Sequence, residues 1–291
     1  MMRVFFRLVF LPLAFLAALY GGRHFRLPPA APPPLSFQPS QYPVERHPFV
    51  IVVVGRNNGA FVDKTLRSIL DQVYEPYRLI YIDDASDDGS FELARDLINQ
   101  RDDLARITLV RNEARLGLVA NLARAIQTCE DREIVVVIAG TDWLAHRWVL
   151  QTLNQYYADP DVWFSLSRFC EYPQYATVSS APVRRDRSEG PFHLKAFYAG
   201  LFKKIALEDW NSKEKLTVSN NDLTTELAYL APIAEMAQGH FALLEEVLYI
   251  ANRLGVSEED REAVLRAEKG IRAATPYLPL SDLSENSRKL R

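Results

Sequence analysis

The stretch Tyr81-Ile82-Asp83-Asp84-Ala85-Ser86-Asp87-Asp88-Gly89-Ser90 decides how the chain is read. Leu79-Ile80-Tyr81-Ile82 carries no charge, as befits a strand covered on both faces, and it runs straight into two carboxylates and a Ser-Asp-Asp-Gly turn. Two roles are open to Asp83 and Asp84. Acids at strand ends accept hydrogen bonds from ribose hydroxyls and base N–H groups. Asp and Ser in a turn also cap the following helix with no ligand at all. Working outward, Phe49-Val50-Ile51-Val52-Val53-Val54 is a second apolar run, ended by Gly55-Arg56-Asn57-Asn58-Gly59. Helical spacing follows each run: Val62, Leu66, Ile69, Leu70 and Val73 after the first, Phe91, Ala94, Leu97 and Ile98 after the second. A third strand, Ile107 to Val110, a helix from about Leu116 to Cys129, and a fourth strand, Ile134 to Ile138, continue the rhythm. This alternation predicts an α/β fold with a mostly parallel sheet and right-handed crossovers. Ligands of such sheets sit outside the carboxyl ends of the strands, so the loops after Val54, Ile82 and Ile138 are the ones that carry chemistry.

Beyond Trp143 the spacing predicts a helix around Arg147 to Tyr157, a strand near Val162 to Ser165, and a polar loop from Pro173 to Pro191. Helical stretches are expected around His193 to Ile205 and Leu223 to Gln238, then a strand from Phe241 to Ile250. Together these make the acceptor-side half of one domain spanning residues 49–252, and residues 253–291 are expected to form a surface helix and a frayed tail. Residues 1–26 read as a signal anchor or a signal peptide, because Arg3 and Arg7 precede an uncharged stretch from Leu8 to Gly22. Counted over residues 4–22 it is close to the roughly 17 residues that a spanning helix needs. A single-pass membrane location is therefore expected, with secretion after cleavage as the alternative. Arg23 and Arg26 oppose Arg3 and Arg7, so charge does not set the orientation. Residues 27–48 hold eight prolines and form an extended spacer.

The net charge of −3, without a run of five like charges, argues against nucleic acid as a partner. Cys129 and Cys170 are too few for a disulfide framework, and Cys129 falls on the apolar stripe Leu118, Leu122, Ala125, Ile126, as a core residue does.

The segments Ile51-Val52-Val53-Val54-Gly55-Arg56-Asn57-Asn58 and Tyr81 to Ser90, in this order and spacing, resemble the family 2 glycosyltransferases with the GT-A fold. The likeness continues through Arg111-Asn112-Glu113-Ala114-Arg115-Leu116-Gly117-Leu118-Val119-Ala120-Asn121, Phe197 to Ile205 and Ala228 to Ala237. It implies a Rossmann-like half that binds a nucleotide-diphosphate sugar, with base and ribose near Val53, Arg56, Asp83 and Asp84, and Asn121 close by. Family members carry an Asp-x-Asp after the fourth strand, whose oxygens hold Mg2+ or Mn2+ against the donor pyrophosphate. This chain has Ala139-Gly140-Thr141-Asp142-Trp143 there, so two of the three expected acids are missing. What the resemblance leaves as metal candidates is Asp142 and His240, with the neutral Thr141 hydroxyl and Trp143 beside the sugar. Lys203, Lys204, Arg184 and Arg185 are cations that could neutralise a diphosphate without metal.

Inverting enzymes of this class use a carboxylate to take the acceptor hydroxyl's proton. Its counterpart is Glu226, with Asp222 as the nearest understudy, Asp142 as a second catalytic acid and Glu235 in a structural role. Of the four tryptophans, Trp143 is expected nearest the site, while Trp148, Trp163 and Trp210 are expected to pack. The resemblance thus implies an inverting hexosyltransferase acting on a hydroxyl of a glycan, lipid or protein. The alternative is a non-catalytic descendant that binds a nucleotide sugar or a partner. No Gly-rich, Lys-bearing phosphate loop follows the first strand, which disfavours a nucleotidyltransferase.

Overall fold

The computed structural model describes residues 45–185, 192–206, 223–254, 269 and 271–289. The expected membrane segment, most of the proline-rich spacer, Trp210, Asp222 and part of the tail lie outside the described residues. Among the described residues no helix is long and apolar enough to cross a membrane.

The first half is built as the apolar runs require. Strand β1 (Phe49–Gly55) is buried at every residue, since β-branched side chains on both faces must be covered. Helix α1 (Val62–Leu70) buries Val62, Leu66 and Ile69 in the same core. Strand β2 (Tyr77–Asp83), helix α2 (Ser90–Ile98), strand β3 (Ile107–Arg111), helix α3 (Leu118–Ile126) and strand β4 (Ile134–Ala139) follow in turn. Strands β1 to β4 pair in parallel in the order β3-β2-β1-β4. Cys129 is buried as a free thiol, 3.6 Å from the Ala125 carbonyl it faces, as the apolar stripe predicts.

The second half completes a curled, mixed sheet. It comprises β5 (Trp143–Leu144), α4 (Val149–Tyr157), β6 (Phe164–Tyr172), β7 (Ala176–Val178), β8 (Lys195–Tyr198), α5 (Ala199–Lys203), α6 (Leu223–Met236) and β9 (Phe241–Asn252). The sheet order is β3-β2-β1-β4-β8-β6-β9-β5, with β7 beside β6. Strand β8 runs antiparallel to β4 and β6, and β9 runs parallel to β6. Every strand of the core except β8, β7 and the two-residue β5 therefore delivers its carboxyl end to the same edge.

Three expectations need correction. The helix expected to begin at His193 is strand β8 first: all four of its residues are buried, and their backbone groups complete the open edge of β4. The polar loop after Pro173 contains β7, and β5 pairs with Ile250 and Tyr249 of β9 across a separate small aromatic cluster. The described part of the tail is not all surface, because Ile271, Tyr277 and Leu280 join the main core.

Candidate functional site

At the carboxyl ends of β1, β2 and β3, both acids of the opening motif are buried and fully engaged. Asp83 accepts two bonds from Ser86, from its backbone N–H at 3.0 Å and its hydroxyl at 2.5 Å. The Ser86 hydroxyl oxygen in turn accepts from the Asn57 N–H at 3.0 Å, so one serine ties the β1 loop to the β2 loop. Asp84 accepts from the Leu116 N–H, the Gly117 N–H and Asn112 Nδ2, each at 2.8 Å. Asn112 Nδ2 also donates to Asn121, whose own Nδ2 donates to the Gly117 carbonyl. Burial raises the Asp84 carboxyl, but the bonds from Leu116, Asn121, Asn112 and Gly117 outweigh it and hold the group below its ordinary value. Gly117 has φ 84°, a conformation that suits glycine and lets its N–H reach the carboxylate as α3 begins.

Val53, Asp83, Asp84 and Asn121 are thus the frame of the site, each at most 1% exposed. The surface they support is a cleft of about 450 Å³ lined by Ala85, Ser86, Arg111, Asn112 and Glu113. Ala85 holds φ 60° at its floor, and the Arg111 guanidinium pairs with Glu92 at its rim. Sequence reasoning chose the carboxylates and passed over these lining residues, although all of them stand in the motifs quoted above. Arg56 is exposed at the end of β1, with no hydrogen-bond or ion-pair partner among the described residues.

The loop after β4 is packed differently. A Cβ on Gly140 would stand 2.6 Å from Gly55 Cα and 2.8 Å from Asn58 Nδ2, so two backbones touch here and neither position tolerates a side chain. The Gly140 carbonyl accepts from Asn58 Nδ2 at 2.7 Å and the Thr65 hydroxyl at 3.1 Å. Asp142 is buried and tied to β9: the Tyr249 hydroxyl donates to one oxygen at 2.8 Å, and the Asn252 N–H donates to the other at 3.0 Å. The Thr141 hydroxyl lies 3.2 Å from that second oxygen. Burial pushes the Asp142 carboxyl above its ordinary value, against the pull of Asn252, Tyr249 and Lys195.

Lys195, which sequence reasoning did not single out, stands on β8 beside Val137 of β4 and is 2% exposed. Its ammonium is paired with Glu226 of α6. His193 stacks on the Tyr249 ring at 4.8 Å, and burial followed by the Lys195 charge drives its imidazole well below the ordinary value.

The residues after β4 do not fit a divalent cation. A hard ion needs about six oxygens, usually with free carboxylates among them. Here both Asp142 oxygens and the Gly140 carbonyl are already committed, and positions 139 and 140 have no side-chain oxygen. Among the described residues no three His, Cys, Asp or Glu side chains gather as a metal group.

His240 is not brought to Asp142. It precedes β9 at the amino ends of β4 and β6, stacked on Trp163 at 3.6 Å, beside a second cleft of about 910 Å³ that includes Pro48, Glu133 and Asp282. From there β9 must run past Tyr249 to reach Asp142, roughly 30 Å of extended chain. Lys203 and Lys204 lie at that far end too, since α5 follows β8 and Lys203 donates to Asp131. Arg185 is engaged with Glu235, which also accepts the Tyr277 N–H. Trp143 lies nearest Asp142, with its face covered by the Lys64 ammonium at 3.8 Å and its edge against Tyr172. Trp163 packs; Trp148 is 37% exposed.

A parallel Rossmann-like half, two glycines in contact at the carboxyl ends of its central strands, and a second half of mixed strand direction define an α/β domain of the GT-A type. The profile of Glycosyl transferase family 2 matches residues 50–201, and the chain belongs to that family. It is 33% identical over 106 residues to an uncharacterized protein, MT1568, of Mycobacterium tuberculosis (strain CDC 1551 / Oshkosh), covering 36% of this chain and 31% of that protein. Among solved structures, S. aureus TarS 1-349 in complex with UDP-GlcNAc superposes with a TM-score of 0.57 at 16% identity, over 77% of this chain and 65% of that one. The mannosyltransferase PcManGT from Pyrobaculum calidifontis, in complex with GDP-Man and Mn2+, gives 0.52 at 20% identity over 91% and 76%. The chain spans about 39% of the longer TarS structure and about a third of the mycobacterial relative. These structural likenesses speak to the fold.

Proposed function

We propose that the protein is a glycosyltransferase that takes a sugar from a nucleotide-diphosphate donor and passes it to a hydroxyl acceptor. The observation that carries this reading is the cleft at the carboxyl ends of β2 and β3, where Ser86, Asn112 and Arg111 present polar groups and the buried acids hold them in place. Sheets of this kind bind nucleotides at that edge. The nucleotide-sugar complexes of TarS and PcManGT, on the same fold, support the same donor class.

In the inverting reaction, the acceptor oxygen bonds to the anomeric carbon as the bond to the diphosphate breaks. The electron pair leaves with the diphosphate, and the acceptor proton passes to a carboxylate. Glu226 is the acid that the family resemblance assigns to this step. It meets a proton only after loosening its bond to Lys195, and that commitment favours a second reading, in which the fold binds a donor without turning it over. A glycan, lipid or protein is the proposed acceptor, reached from the membrane through residues 4–22.

The deciding experiment is a donor-hydrolysis screen across uridine, guanosine and thymidine diphosphate sugars, run on the wild type and on the double variant Ala139→Asp/Thr141→Asp. Turnover by the wild type is expected. Turnover in the double variant alone would replace the transferase reading with the binding one.

A further inference from the structure

We infer that Lys195 is the resident cation of this site, standing in for a divalent metal, so that nucleotide diphosphates bind here without one. The observations come from three strands and one helix that meet under the loop after β4. Lys195 on β8 pairs with Glu226 on α6, and two residues before it His193 stacks on the ring of Tyr249, whose hydroxyl donates to Asp142. A buried ammonium is tolerated only beside opposite charge, and a buried carboxylate only beside donors or cations. Lys195 and Glu226 satisfy each other, and Asp142 is satisfied by Tyr249 and Asn252, so the group needs no further ion. A metal would have to displace the Tyr249 hydroxyl and the Asn252 N–H from Asp142, stripping β9 of its anchors.

Three polar atoms on residues next to this group would suit an anion nearby. Among the described residues, the Tyr229 hydroxyl, the Asn252 side-chain nitrogen and His193 Nδ1 are all buried without a hydrogen-bond partner. Two of the three are donors, and natural interiors rarely leave donors idle. Tyr229 stands one helical turn beyond Glu226, and His193 lies two residues before Lys195, just ahead of β8. Outside this group, Arg56 supplies an exposed guanidinium at the end of β1, without a carboxylate partner among the described residues. The inner lysine offsets the acids below the phosphates while Arg56 meets solvent above. Electrostatic work that a metal performs in one step is split between two side chains.

The role of Lys195 is electrostatic positioning. Without its charge, Glu226 and Asp142 would repel a diphosphate placed above them, while an uncharged nucleoside would feel little change. The diphosphate half of the inference rests on the proposed function; the metal half stands without it.

The first test uses Mn2+ alone, titrated into the full chain and followed by the electron paramagnetic resonance of the free ion. The expected result is no site that depends on Asp142. Binding that Asp142→Asn abolishes would overturn the inference; binding that survives Asp142→Asn comes from elsewhere on the surface and agrees with it. The second test is calorimetry of UDP, GDP, uridine and guanosine, in EDTA and in Mn2+. Diphosphate affinity is expected to agree within about twofold between the two buffers, and a gain of about tenfold or more with Mn2+ would refute it. Lys195→Met should weaken the diphosphates by about tenfold and leave the nucleosides unchanged, with Lys195→Arg restoring the loss. Equal losses for diphosphate and nucleoside would reduce Lys195 to scaffolding and overturn the assignment. If no nucleotide binds at all, the donor reading falls, and the Mn2+ titration still decides the metal question.

Discussion

Replacing Asp84 by alanine removes one acceptor group and three hydrogen bonds at once. The donors left behind are the Leu116 and Gly117 backbone N–H groups and Asn112 Nδ2, all of which lose the acceptor they share and face a methyl group, although Asn112 Nδ2 keeps its bond to Asn121. A bond to a charged acceptor contributes about 1.5 to 3 kcal/mol, and stranded buried donors cost about 1 to 3 kcal/mol each, with strong overlap between the terms. An expected loss of about 4 kcal/mol follows for Asp84→Ala, a large share of the roughly 5 to 15 kcal/mol that holds a domain folded. With a urea slope of about 2 to 3 kcal/mol per molar, the unfolding midpoint should fall by about 1.3 to 2 M. Asp84→Asn keeps one acceptor oxygen and sets an NH2 against a backbone N–H, so its loss should be about half as large.

The pH dependence is fixed by the same bonds. The folded-state carboxyl is held below its ordinary value of 3.8, so its contribution is fully present above that value and is lost as pH falls through the depressed one. The gap between wild type and Asp84→Ala should therefore be constant near neutrality and narrow below about pH 4. Urea unfolding at a series of pH values measures both. A loss below about 1 kcal/mol, or a gap that does not narrow in acid, would refute the assignment of Asp84 as the clamp between β2 and α3.

Two further outcomes are expected. Gly140→Ala forces a Cβ to 2.6 Å from Gly55 Cα, and because the obstacle is backbone it should cost about 3 kcal/mol in urea unfolding; a cost within error would mean the two strand ends part easily. Asp83→Ala frees Ser86 from both of its bonds to Asp83 and should weaken nucleoside-diphosphate binding by about tenfold in calorimetry, whereas an unchanged affinity would remove Ser86 and Asp83 from the donor site.

Much of the fold was written in local patterns. The uncharged runs at residues 49–54, 79–82 and 134–138 could only be covered strands, and helical spacing after each left a parallel arrangement as the economical solution. Strand β8 escaped this logic, because Lys195-Ala196-Phe197-Tyr198 gains its strand form from the open edge of β4, a partner distant in sequence. The same holds for β5, two residues long, which exists only because β9 lies alongside.

At the site, the sequence by itself determined where the polar loops fall and that the segment after β4 lacks acids at positions 139 and 141. It could present Asp83 and Asp84 as either ligand-binding or capping groups, since both uses draw on the same short carboxylate. Only the tertiary structure decided what each acid is bonded to: Asp83 to Ser86, Asp84 to the start of α3, Asp142 to β9. It also separated His240 from Asp142 along the length of β9 and brought Lys195 to Glu226 across thirty-one positions of chain. Hydrogen bonds and ion pairs depend on distances of a few ångströms, and side chains far apart in sequence reach those distances only after the sheet has closed.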